Sequence, residues 1–133
     1  MMAMPDPDGE LWPIYILVVD DEPLVRLLLA DMLRDAGFTV AEAASADEAL
    51  SYCHAHQDVD LVFTDVQMPG SMNGIELVAA LQDLNPFLPV IVTSGGVGRE
   101  DVPDVPFIAK PYELEKARAL VFATLKISPK DAE

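Results

Sequence analysis

Short unbroken apolar runs alternate along this chain with stretches whose apolar residues recur every three or four positions. Tyr15 to Val19, Phe38 to Ala43, Leu61 to Thr64, Val90 to Thr93 and Val105 to Ala109 are the short runs, and each reads as a buried strand. The stretches between them read as helices. Pro23 opens the first, at a position where its missing N–H costs nothing. Val25, Leu28, Leu29, Met32 and Leu33 form the apolar stripe of that helix, and Gly37 ends it. Ser45 caps the second helix, with Glu48 three residues on completing a capping box. Ile75 to Leu84 is a third, with Leu77, Val78, Leu81 and Leu84 in phase and Asn85-Pro86 as the stop. Pro111 opens the last, which turns Leu114, Ala117, Val121 and Leu125 inward.

Strand–helix alternation with continuously apolar strands predicts a five-stranded parallel sheet covered on both faces, a doubly wound α/β fold. One connection departs from the pattern. A parallel crossover needs roughly a dozen residues, and Gly95 to Pro106 supplies just that minimum. Gly95, Gly96 and Gly98 disfavour helix at its start, and Pro103 and Pro106 break its end. Only Arg99 to Val102 could form a turn, so the helix between the fourth and fifth strands is expected to be short or absent. Residues 1–13 carry Pro5, Pro7, Gly9 and Pro13 without periodicity and read as a flexible leader. Residues 14–127 read as one domain and 128–133 as a disordered tail.

Composition sharpens this picture at a few points. The 133 residues carry a formal net charge of −15, which argues against nucleic acid as a partner, since phosphate backbones are held by clustered Lys and Arg. A bound cation or a basic partner suits that charge better. Cys53 is the only cysteine, so no internal disulfide is possible, as expected in a reducing cytoplasm. It reads as a small buried hydrophobe rather than a reactive thiol. Met1 to Leu11 holds acids and no bases, unlike a signal peptide. The longest apolar stretch, Ile14 to Val19, is too short to cross a bilayer.

Ligands of doubly wound folds bind beyond the carboxyl ends of the strands. Asp20 and Asp21 end the first strand, Asp65 the third, Ser94 the fourth and Lys110 the fifth. Any one aspartate is more often a solvated loop residue, but this set converges on one edge. Carboxylates that close repel unless a cation joins them, and hard oxygen donors suit Mg²⁺ or Mn²⁺. A lysine and a hydroxyl facing the same point describe a phosphoryl pocket, with one carboxylate available as nucleophile.

The stretches VVDDEP, FTDVQMPG, NGIEL, PVIVTSGG and FIAKPY, in this order, resemble the receiver domains of two-component response regulators, from about Ile14 to Leu125. The resemblance implies a flavodoxin-like receiver fold with Asp65 as phosphoacceptor. It implies that Asp20, Asp21, Asp65 and the backbone carbonyl of Gln67 hold the metal. Lys110 would contact the phosphoryl group, with a cis bond to Pro111. Ser94 would be the switch hydroxyl and Phe107 the switch aromatic. Thr93 also carries a hydroxyl and stays open as an alternative; the following Gly95 and the distance from Pro89 favour Ser94. The implied partners are a sensor histidine kinase or a histidine phosphotransfer protein, with a downstream protein target. No membrane and no turnover beyond slow self-phosphorylation and dephosphorylation are expected. MPGSMNG carries one residue more than the commonest form of its loop.

Several alternatives stay open. The chain could be a phosphate sink in a relay, or a receiver segment of a hybrid histidine kinase. An aspartyl-phosphate phosphatase wants D-x-D on the first strand, where this chain has Asp20, Asp21 and Glu22. A flavodoxin-like cofactor binder wants glycine and hydroxyls there. Neither a P-loop nor G-x-G-x-x-G is present. His54 and His56 lie two apart and do not face one another on a helix. Leu24 and Leu27 lie beside the first helix's stripe, either as a wide apolar face or as a docking patch.

Overall fold

The computed structural model describes residues 13–68, 70–96 and 104–127. Its elements are β1 (Tyr15–Val19), α1 (Pro23–Asp35), β2 (Thr39–Ala43), α2 (Ala46–Ala55), β3 (Leu61–Asp65), α3 (Gly74–Leu84), β4 (Val90–Ser94), β5 (Phe107–Ala109) and α4 (Leu114–Leu125). The strands form one parallel sheet in the order β2-β1-β3-β4-β5. The order reverses at β1, so the carboxyl ends of β1 and β3 stand side by side at the switch point. Arg99 to Val102 lies outside the described residues, as do most of the expected leader and the tail.

The three inner strands β1, β3 and β4 are apolar up to their carboxyl ends because both faces are covered. Ile16, Val18, Leu61, Phe63 and Ile91 pack with Leu29 and Leu33 of α1 and Ala117, Val121 and Leu125 of α4. The alternate residues Leu17, Val19, Val62, Val90 and Val92 pack with Ala49 and Cys53 of α2 and Leu77, Val78 and Leu81 of α3. Each fully buried Val, Leu, Ile or Phe contributes about 1.5–3 kcal/mol. Burial of Cys53 pushes its thiol up to about 11, which keeps it protonated at neutral pH.

The helix ends follow local chemistry. Gly37 has φ 105°, and the N–H groups of Gly37 and Phe38 donate to the carbonyls of Arg34 and Leu33, which stops α1 as expected. Ser45 accepts from the Glu48 N–H, but the Glu48 carboxylate returns to the N–H of Ala44, one residue before the cap. The full reciprocal box is at Asn73 and Glu76, which starts α3 at Gly74. Three expectations are corrected. Leu28 is 49% exposed and lies off the buried stripe of α1, which is carried by Leu29, Ala30 and Leu33. β5 begins at Phe107, since Pro106 has no N–H and pairs with Val92 only through its carbonyl. α4 begins at Leu114, because a cis Lys110–Pro111 bond and a turn intervene.

α4 ends on Lys126, in the left-handed region at φ 60°. A side chain there is strained by about 1 kcal/mol or more. Lys126→Gly is therefore expected to raise stability by about 0.5–1 kcal/mol, after allowing for the freer unfolded chain. Urea denaturation reads this as a higher midpoint at unchanged slope; a lower midpoint would contradict it.

Candidate functional site

The carboxyl edge of the sheet collects the acids. Asp20 follows β1 and Asp65 ends β3, and the two are only 3% and 4% exposed. Every polar group of Asp20 is held. Its N–H donates to the carbonyl of Ala43 at 3.1 Å. Its Oδ1 accepts from the Glu22 N–H at 2.9 Å, and its carbonyl accepts from Arg26 Nη1 at 2.7 Å. Asp65 Oδ1 accepts from the Gln67 N–H at 3.1 Å, which brings the backbone of Gln67 beside the carboxylate.

Lys110 enters from the end of β5. Its Nζ lies 2.8 Å from Asp20 Oδ2, 3.0 Å from Asp65 Oδ2 and 3.1 Å from Glu22 Oε1. Burial alone would lower its pKa; its hydrogen bonds to Asp20 and Asp65 overcome that and raise it above the ordinary 10.5. Burial likewise raises the pKa of Asp65, against the pull of Lys110 and of the Gln67 N–H. Asp65 is thus a carboxylate held at some cost, a good position for a nucleophile.

Asp20, Asp21, Glu22 and Asp65 each place an oxygen within 4.8 Å of the others. Four carboxylates so close are the donor set that a hard divalent cation takes, so the residues fit Mg²⁺ or Mn²⁺. Glu22 was not singled out as a site residue in the sequence. Its signal was its place in the run Asp20-Asp21-Glu22, directly before the proline that opens α1.

Ser94 and Thr93 point to opposite faces. Thr93 pairs in register with Asp65 and Ile108, and its Oγ1 is buried without a hydrogen-bond partner among the described residues. Ser94 ends β4; its carbonyl accepts from the Lys110 N–H and its Oγ from the Gly96 N–H at 3.2 Å. The strand alternation puts Ser94 on the same sheet face as Phe107, which packs against the α2–α3 side of the core. Tyr112 packs near Phe63, ring centroids 6.0 Å apart. Burial, with Asp20 nearby, pushes the phenol up to about 12. His54 and His56 stay away from this edge; His56 stacks on Tyr52.

A five-stranded parallel sheet in this order, with helices on both faces, defines the flavodoxin-like class of α/β modules. The family model for the response regulator receiver domain matches residues 16–121, and the chain belongs to that family. It is 38% identical over 81 residues to the glycerol metabolism activator of Pseudomonas putida, covering 59% of this chain and 36% of that protein. The chain thus spans about a third of that curated relative. Among solved structures it is similar to the receiver domain of NtrX from Brucella abortus, with 31% identity, TM-score 0.76 and coverage of 85% of this chain and 99% of that one. It is also similar to a CheX-CheY-BeF3-Mg²⁺ complex from Borrelia burgdorferi, with 26% identity, TM-score 0.79 and coverage of 90% and 93%. Among the described residues no helix is long and apolar enough to cross a membrane.

Proposed function

We propose that this receiver domain takes a phosphoryl group from a phosphohistidine onto Asp65 and changes conformation in response. The observation that carries this reading is the buried Asp65 carboxylate, held among Asp20, Asp21 and Glu22 with Lys110 Nζ 3.0 Å away. One Asp65 oxygen attacks phosphorus, the P–N bond breaks, and the bonding pair leaves with the imidazole. Asp20, Asp21, Asp65 and the carbonyl of Gln67 would hold Mg²⁺ or Mn²⁺, which offsets charge on the transferring oxygens. The similar Borrelia burgdorferi complex, which contains BeF3 and Mg²⁺, supports the same use of this fold. Lys110, whose Nζ lies 3.0 Å from Asp65 Oδ2, would bind the phosphoryl oxygens.

Ser94 is the switch hydroxyl in this reading, because it shares a face with Phe107 while Thr93 does not. The donor is a sensor histidine kinase or a histidine phosphotransfer protein. Leu24, Leu27 and Leu28 of α1, all 45% exposed or more, offer its helices an apolar contact beside the site. Operation in the cytoplasm fits the buried free thiol of Cys53.

Acetyl phosphate with Mg²⁺ is expected to add one phosphoryl group per chain by intact mass, and none in EDTA. Asp65→Asn should stay unlabelled. Labelling of Asp65→Asn at the wild-type level would overturn the assignment.

A further inference from the structure

Arg26 stands on α1, one turn beyond the acidic run, and is not part of the phosphoryl pocket. Its Nη1 donates to the backbone carbonyl of Asp20 at 2.7 Å, the shortest bond that Asp20 makes. That carbonyl belongs to the peptide joining Asp20 to Asp21. The guanidinium is itself fixed, since its Nε lies 3.2 Å from Glu42 Oε1 on β2. The two side chains are 19% and 25% exposed, so this bond is sheltered from water on most sides. Glu42 is shared: its other oxygen lies 3.0 Å from Arg34 Nη2, one helical stretch further along α1.

We infer that Arg26 is a positioning residue, which orients the Asp20–Asp21 peptide so that both carboxylates face the cation site; this rests on the metal reading above. A planar guanidinium with donors on two edges can bridge Glu42 and a carbonyl at once, and a point charge on a flexible stem cannot. With the carbonyl of Asp20 pinned outward by Arg26 and the N–H of Asp20 pinned to Ala43, the direction of the chain into Asp21 is set from both sides. Without Arg26 the peptide loses the restraint on the Asp20 carbonyl, and Asp21, which is half-buried, is the carboxylate most affected. The guanidinium touches no cation or phosphoryl position, so its effect passes through Asp20 and Asp21 alone.

Arg34 provides the internal comparison. Arg26→Gln and Arg34→Gln each remove one ion pair to Glu42, but only the first releases the Asp20 carbonyl. Mn²⁺ binding to the full chain is read from the loss of the free-ion signal in electron paramagnetic resonance. Arg26→Gln is expected to weaken Mn²⁺ binding about tenfold, the low end for removing a group that orients a metal ligand. Arg34→Gln is expected to stay within about twofold of wild type. Equal weakening in both variants, or a wild-type affinity in Arg26→Gln, would overturn the inference. If Arg26→Gln does not fold by circular dichroism, Arg26→Lys serves the same comparison and should bind more weakly than Arg34→Gln. Failure of the wild-type chain to bind Mn²⁺ is a different result, and overturns the metal reading along with this one.

Discussion

Gly74→Ala is expected to lower stability by about 3 kcal/mol or more, although helix propensity alone predicts a gain of about 1 kcal/mol. Gly74 is the first residue of α3, and its N–H donates to the carbonyl of Val66 at 2.9 Å. A β-carbon there would press on the carbonyl oxygen of Asp65 and come within 2.6 Å of the Val66 Cα and 2.9 Å of the Asp65 carbonyl carbon. All three atoms are backbone, so no rotamer change relieves the contact. Either α3 moves away from the sheet or the end of β3 moves with the Asp65 carboxylate. The thermal midpoint should fall by roughly 10 °C. The folded fraction should also accept phosphate more slowly from acetyl phosphate, since a displacement of about 1 Å at a reacting group can cost a hundredfold. A midpoint equal to or above wild type would show that α3 accommodates the methyl group and that Gly74 does not set the position of Asp65.

Lys110→Met should have opposite effects on metal binding and on phosphoryl transfer. The folded-state pKa of Lys110 is raised by Asp20 and Asp65 despite its burial. A raised amine contributes stability that is fully present below its unfolded value, near 10.5, and is lost as pH rises through the folded value. At pH 7–8 the contribution is complete. Met keeps much of the apolar stem and leaves Asp20 and Asp65 buried without their ammonium. The expected loss in EDTA is about 3 kcal/mol, the low end for breaking a buried ion pair. That loss should shrink as the pH is lowered far enough to protonate the carboxylates. In wild type, Lys110 Nζ lies against one oxygen each of Asp20 and Asp65, two of the carboxylates proposed to hold the cation, so the variant should bind Mg²⁺ more tightly and regain much of its stability when loaded. Phosphorylation by acetyl phosphate should nonetheless fall about a hundredfold or more, as when a preorganised donor to a developing charge is removed. Calorimetric titration with Mg²⁺ separates the two effects. Weaker Mg²⁺ binding in the variant would show that the ammonium helps to build the cation site rather than competing for it.

Much of this arrangement is legible in the sequence. Unbroken runs as short as Leu61 to Thr64, alternating with helical stripes, read as buried strands, and the acid or hydroxyl after each run then falls at one edge. The five-stranded parallel sheet and the grouping of Asp20, Asp21, Asp65 and Lys110 follow from that. What periodicity could not show was where each stripe ends. Leu28 is in helical phase with the core residues of α1, but α1 carries more leucine than its buried face can cover. The starts of β5 and α4 depended on how Pro106 and Pro111 are used, and a proline marks an element boundary without saying on which side the element lies. Glu22 and Arg26 were missed for a common reason. Neither belongs to a strand end, and their relation to Asp20 arises only when the first turn of α1 folds back over the end of β1.

The division of the core by a single layer of strands has a mechanical consequence. Val62 and Phe63 are neighbours in β3 but are gripped by different helix pairs, α2–α3 and α1–α4. β3 also has hydrogen-bonded strands on both sides. Asp65 is therefore mounted on the central strand of the sheet, packed on both faces and hydrogen-bonded on both edges. β5 is the reverse: three residues at an edge, bonded to β4 alone and half-buried or exposed throughout. The strand that carries Phe107 and leads into Lys110 is thus held by fewer contacts than the middle of the sheet. In the phosphorylation proposed above, new charge at Asp65 meets more restraint around β3 than along β5, so β5 is where displacement is expected.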